Sequence, residues 1–97
     1  MIRSEFGIPV NLTSTADVYT NAASGGNDDC LLIGFYVNST TGGTVVLRKG
    51  GSGGTVLGGT ITPAIGFHRF PASCPGGLHA TIANTLDVTF FIIPGVA

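Results

Sequence analysis

Few residues of this chain have side chains suited to catalysis or metal binding: His68, His79, Cys30, Cys74, Asp28 and Asp29 stand out. A zinc site would need cysteines or histidines at close, regular spacing, of the C-x-x-C or H-x-x-x-H kind. No pair among them has it. A Cys–His nucleophile would also need an orienting polar residue and oxyanion donors nearby, and nothing local marks them. An enzyme built on them would require a pocket joining His68 or His79 to Cys30 or Cys74. Asp28-Asp29 follows a glycine-containing loop but lacks the alternating acids and distal Glu of a calcium loop. Arg48-Lys49 before Gly50-Gly51-Ser52-Gly53-Gly54 superficially suggests a phosphate cradle. The pattern continues into Thr55-Val56-Leu57, a strand-like run, where a P-loop continues with Lys-Ser/Thr and a helix. These readings predict no enzyme, no metal and no cofactor. The two histidines are expected to be partly exposed strand residues, and the two aspartates part of a solvated turn.

The composition points elsewhere. Four Lys or Arg and five Asp or Glu are the only charges in 97 residues, beside 16 glycines and 12 threonines. An ordinary domain is roughly a quarter charged. A surface this neutral does little to keep molecules apart, which suits a chain that sits against copies of itself or a larger assembly. The cations Arg3, Arg48, Lys49 and Arg69 are scattered, whereas nucleic-acid binding clusters them. Mean hydropathy of +0.47 argues against disorder. The apolar runs Leu31–Ile33 and Phe90–Ile93 fall far short of the ~20 residues of a membrane span. The opening residues Met1–Phe6 contain no apolar run of signal-peptide length, so folding in a reducing cytoplasm is expected. Free, buried thiols at Cys30 and Cys74 follow from that, although a disulfide between them would close a long loop. The triplets beginning at Asn11 and Asn38 match the glycosylation pattern and are read as unmodified.

The elements needed to position these residues are strands. Runs rich in Val, Ile, Thr and Phe alternate with glycine clusters, and no segment keeps a helical period. Strands are expected at Asp17–Asn21 and Leu31–Asn38. A tight turn at Ser39–Gly43 would lead into Thr44–Lys49, a hairpin signal. Gly50–Gly54 reads as a mobile hairpin tip. Thr55–Leu57 and Thr60–Thr62 form a strand with a bulge or bend at Gly58-Gly59. Ile65–Phe70 closes at Pro71, Leu78–Ala83 alternates cleanly, and Asn84–Leu86 turns into Asp87–Ile93. That last strand is apolar on both faces, so it is central to a sheet or packed on another subunit. Seven or eight short strands suit one small antiparallel two-sheet β-sandwich over residues 11–97, jelly-roll or immunoglobulin-like. Residues 1–10, with Phe6, Ile8 and Val10, read as an N-terminal arm that could reach a neighbour.

Several segments carry a resemblance. Phe35–Asn38 leads through Thr41-Gly42-Gly43 to Thr44–Arg48 and a glycine tip. Phe70-Pro71, Cys74-Pro75-Gly76-Gly77-Leu78 and Leu86–Phe91 follow. Over roughly residues 30–93 the chain resembles small β-sandwich decoration (cement) proteins of tailed bacteriophage capsids. That resemblance implies a homotrimer on the outside of a virion, bridging major capsid subunits and stabilising the shell, with no active site. The two cysteines depart from the general pattern. On this reading Phe6, Ile8 and Val10 contact the capsid, and Phe91 and Ile93 form the oligomer interface. The alternative is a binding module of a viral tail or fibre, with a glycan as candidate ligand and Tyr19, Tyr36 and Phe67 around a shallow groove.

Overall fold

The computed structural model describes residues 8–19, 29–51 and 53–94. All the regular structure in them is β. Strands β1 (Ile8–Leu12), β2 (Ala16–Tyr19), β3 (Cys30–Lys49), β4 (Thr55–Ile61), β5 (Gly66–Cys74) and β6 (Leu78–Pro94) form one antiparallel sheet. Two strands dominate it. β3 and β6 pair along nearly their whole lengths, from Cys30 opposite Pro94 to Lys49 opposite Leu78. The remaining strands flank this central ladder at its two ends. β5 lies on β3 residues Cys30–Val37 and β1 on β6 residues Val88–Ile92. At the other end β4 lies on Val45–Lys49 and β2 on Leu78–Ala80.

Such a ladder cannot be straight. The 20 residues of β3 would span about 66 Å if extended, yet the longest dimension of the molecule is 36 Å. The sheet therefore bends, and the sequence marks where. Register shifts fall between Val37 and Ser39 and between Thr41 and Gly42. Around them Asn38, Ser39, Thr41 and Gly42 on β3, and Ala83, Asn84 and Thr85 on β6, are exposed. Gly42 (φ 62°) and Asn84 (φ 61°) both adopt left-handed backbone, which glycine and asparagine accept at least cost. The Asn84 side-chain amide donates to the Gly42 carbonyl at 2.9 Å, stapling the two strands at the corner. A side chain at Gly43 would collide with the Thr85 carbonyl and Leu86, so this close approach requires glycine.

Either side of the corner, one face of each strand is buried. Leu32, Phe35 and Val37 point inward from one arm of β3, and Val45 and Leu47 from the other. Val88, Phe90 and Ile92 on β6 join Leu78, Ala80 and Leu86 of the same strand. All belong to one hydrophobic cluster. Phe35 centres it, its ring centroid 5.9 Å from that of Phe90 and 6.2 Å from that of Phe70.

Several expectations change. The Ser39–Gly43 hairpin does not form. Those residues continue β3, because each half of the strand finds its partner in β6 rather than in the other half. For the same reason Leu78–Ala83 and Asp87–Ile93 are one strand, not two joined by a turn. Pro71 does not end β5, which runs on to Cys74. Among the described strands β5 pairs only with β3, and a sheet edge tolerates a residue with no N–H. The described strands thus number six, two of them long, in place of seven or eight short ones. The bulge opposite Leu47 in β4 appears where Gly58-Gly59 suggested it. The hairpin tip after Lys49 is tied back, Gly50 N–H donating to the Gly77 carbonyl at 3.0 Å. β6 is indeed central, lying between β1 and β3. Ile8–Val10 of the expected arm is a strand of the sheet, paired with Ile92, Phe91 and Phe90.

The corner yields a test. Asn84→Ala keeps a Cβ in left-handed backbone and loses the staple, so it should cost about 1–2 kcal/mol. Asn84→Gly relieves the backbone and should cost less. Urea unfolding midpoints of the two variants check that order.

Candidate functional site

The outer face of the β5–β3–β6–β1 arm brings together four of the residues singled out from sequence, Tyr36, Phe67, Phe91 and Ile93. Its middle row crosses four strands in register: Asn11 on β1, Thr89 on β6, Tyr36 on β3 and Phe67 on β5. Tyr36 and Phe67 are 43% and 53% exposed, side by side on adjacent strands. Phe67 leans inward over Gly34, where any Cβ would lie 2.9 Å from the ring tip and 2.5 Å from the His68 carbonyl. That glycine lets the Phe67 ring reach Phe91, centroids 6.1 Å apart.

On one side of this row lies a polar cluster. The Asn11 amide donates to Asp87 Oδ1 at 2.7 Å, to the Val88 carbonyl and to Thr89 Oγ1. The Asn38 amide donates to the same Asp87 oxygen at 3.2 Å and to Thr89 Oγ1 at 3.1 Å. The asparagines of the two glycosylation-like triplets therefore converge on one carboxylate. Sequence reading missed this, because only the β1–β6–β3 register brings Asn11 and Asn38 together.

On the other side lies an apolar groove of about 680 Å³, lined chiefly by Leu31, Ile33, Phe67, Arg69, Pro71 and Ile93. Arg69 is the only charge among them. Phe91 and Ile93, expected at an oligomer interface, are both half-buried on this outer face. Of the three expected capsid contacts, Ile8 is 44% exposed. Val10 instead packs against the protein's own core, and Phe6 lies outside the described residues. Tyr19 also packs against the core, on the other arm, so it does not share a groove with Tyr36 and Phe67.

The titratable residues separate. Cys30 and Cys74 face each other directly across β3 and β5 and are fully buried as free thiols. The hydrogen bond to Cys74, reinforced by burial, pushes the Cys30 thiol well up. The same bond holds Cys74 down. His68 Nε2 lies 2.7 Å from the Ala64 carbonyl and its ring packs on Phe35. His79 is only 7% exposed, more buried than a partly exposed strand histidine. Its Nδ1 lies 2.8 Å from Asp17 Oδ1, since β2 sets Asp17 directly opposite it. No histidine hydrogen bond to either cysteine occurs among the described residues. Asp29 Oδ1 accepts the Gly76 N–H at 2.9 Å, bracing the turn before β6. Asp28 lies outside the described residues.

Comparison of the chain with models of protein families, with curated proteins and with solved structures gives no significant match in any of the three. The face itself carries the functional reading.

Asp17→Ala removes the hydrogen-bond partner of a nearly buried imidazole. It should destabilise the fold by about 1–3 kcal/mol, since a polar group left unpaired costs more than the bond contributes. Thermal unfolding against the parent chain measures it.

Proposed function

We propose that this chain is a virion structural protein, a decoration protein that binds the outside of a capsid shell and bridges major capsid subunits. The supporting observation is the outer face of the β5–β3–β6–β1 arm, where Leu31, Ile33, Phe67, Pro71 and Ile93 leave an apolar groove with one charge. A monomer of so few charges gains solubility and buried area by covering such a face. In this reading the bent sheet is a two-layer sandwich of the jelly-roll or immunoglobulin-like kind, and its apolar groove meets a second copy in a homotrimer. Phe91 and Ile93 lie at that contact, and the exposed Ile8 side of β1 lies toward the shell. Attachment through apolar and main-chain contacts survives salt better than attachment through ion pairs.

Phe91→Asp should convert the oligomer to monomers in light scattering, with the β circular-dichroism spectrum retained. Ile93→Asp serves as a second variant, because its ring-free side chain leaves the Phe67 contact untouched. An unchanged oligomer in both would remove the interface assignment. Quantitative mass spectrometry of purified virions from the source of the gene tests the larger claim. Hundreds of copies per particle support decoration, a few copies point to a tail or fibre component, and absence ends the virion reading.

A second reading has its own observation. Exposed Tyr36 and Phe67 adjoin the Asn11–Asn38–Asp87–Thr89 cluster, an aromatic platform beside amide and carboxylate groups. A sugar ring has one apolar face to stack and hydroxyls to hydrogen-bond, which suits a glycan-binding module of a tail or fibre. Titration with soluble gluco-, galacto-, manno- and N-acetylglucosamine oligosaccharides should then shift the Tyr36 and Asp87 amide resonances, and Tyr36→Ala should abolish the shifts. No shift with any of them removes this reading.

A further inference from the structure

The buried cysteines carry an inference independent of what the outer face binds. Cys30 opens β3 and Cys74 closes β5, and the two are direct cross-strand partners. Directly opposed residues of antiparallel strands have Cα atoms about 4.5–5.5 Å apart, inside the ~4.4–6.8 Å that a disulfide spans. The two thiols are near enough that each is the foremost influence on the other's ionisation. Both side chains are wholly buried, which favours the partner thiol over a lasting bridge to a second protein molecule. We propose that Cys30 and Cys74 are a paired oxidation site, closing to an intramolecular disulfide when the protein meets a peroxide or disulfide oxidant.

The first attack comes from whichever sulfur has lost its proton. The Leu32 backbone and the Lys49 charge favour the Cys74 thiolate, while burial and the contact of its thiol with the Ala72 carbonyl at 3.8 Å oppose it. With hydrogen peroxide, the thiolate attacks one oxygen, the O–O bond breaks, and the departing hydroxide takes up a proton to become water. The resulting sulfenic acid is then attacked by the other cysteine's sulfur. The S–S bond forms, the proton of that second thiol leaves with the displaced hydroxide as a second water, and the peroxide has gained the electron pair the two sulfurs lost.

Both sulfurs lie on the core side of the sheet, so a small oxidant reaches them through local opening of β5, which the described residues place at the sheet edge. The bridge would lock the edge strand β5 to the central ladder. Closing the chain from Cys30 to Cys74 should raise the folded-to-unfolded ratio by about a thousandfold in the chain-entropy account.

The test is intact-mass analysis of the full chain after treatment with hydrogen peroxide and, separately, with oxidised glutathione. The expected product is a monomer lighter by two hydrogen masses. It should have no thiol titratable after denaturation, yield a Cys30–Cys74 linked peptide, and show a higher urea midpoint that returns on reduction. Added oxygen without bridging, a stable glutathione adduct, disulfide-linked dimers, or two thiols surviving both oxidants would each overturn the assignment. Cys30→Ser, which retains Cys74, should give no loss of hydrogen mass within the monomer. The parent chain decides the proposal by itself, whether or not that variant folds well.

Discussion

Everything in this fold depends on β3 and β6 remaining paired through a bend. A small neutral domain has little else to hold it. It carries no tryptophan, and among the described residues its charges pair sparingly. The ladder recruits β5 and β1 at one end and β4 and β2 at the other. Its corner then brings the buried faces of both arms into a single core around Phe35 and Phe90. Without the bend each arm would present a wet apolar face, and neither has enough area to be stable alone. The left-handed Gly42 and Asn84 and the closely approached Gly43 thus set the geometry on which the core side chains depend.

The same ladder sets the character of the outer face. β3 and β6 are apolar on both sides near Leu31–Ile33 and Phe90–Ile93, so covering their inner faces leaves Leu31, Ile33, Phe91 and Ile93 facing out. Toward the corner the outward positions turn polar, and Asn38, Asp87 and Thr89 interlock with Asn11. One surface therefore has an apolar end and a hydrogen-bonding end, with Tyr36 and Phe67 between them. That gradient is what admits both an assembly contact and a sugar-sized ligand as readings of one arm.

Sequence patterning made the class of structure and most inward positions legible. Val45 and Leu47, Leu78 and Ala80, and Val88, Phe90 and Ile92 all alternate as strands with one buried side. What it could not convey was which strand pairs with which. Thr41-Gly42-Gly43 has the composition of a hairpin turn, and local chemistry alone cannot separate a turn from a bulged corner. The difference lies in β6, forty residues away along the chain, which offers both halves of β3 a partner. The Asp17–His79 pair and the Asn11–Asn38 convergence were hidden for the same reason, since each is a product of register. Cys30 and Cys74 were visible as a pair worth asking about, but their direct opposition also required the β3–β5 register.

The position of β6 in the chain has a consequence for biosynthesis. Among the described strands β1 and β2 pair in the sheet with β6 alone, and β6 follows the other five along the chain. As the polypeptide leaves the ribosome, the first two strands emerge without a partner, and both apolar sides of β3 remain uncovered. Only β3 with β4 and β5 can assemble early. The domain is thus completed in one late event, when residues 78–94 arrive and slot between strands already waiting on either side. A messenger or chain cut short before that point yields no smaller version of the domain, only a sticky fragment.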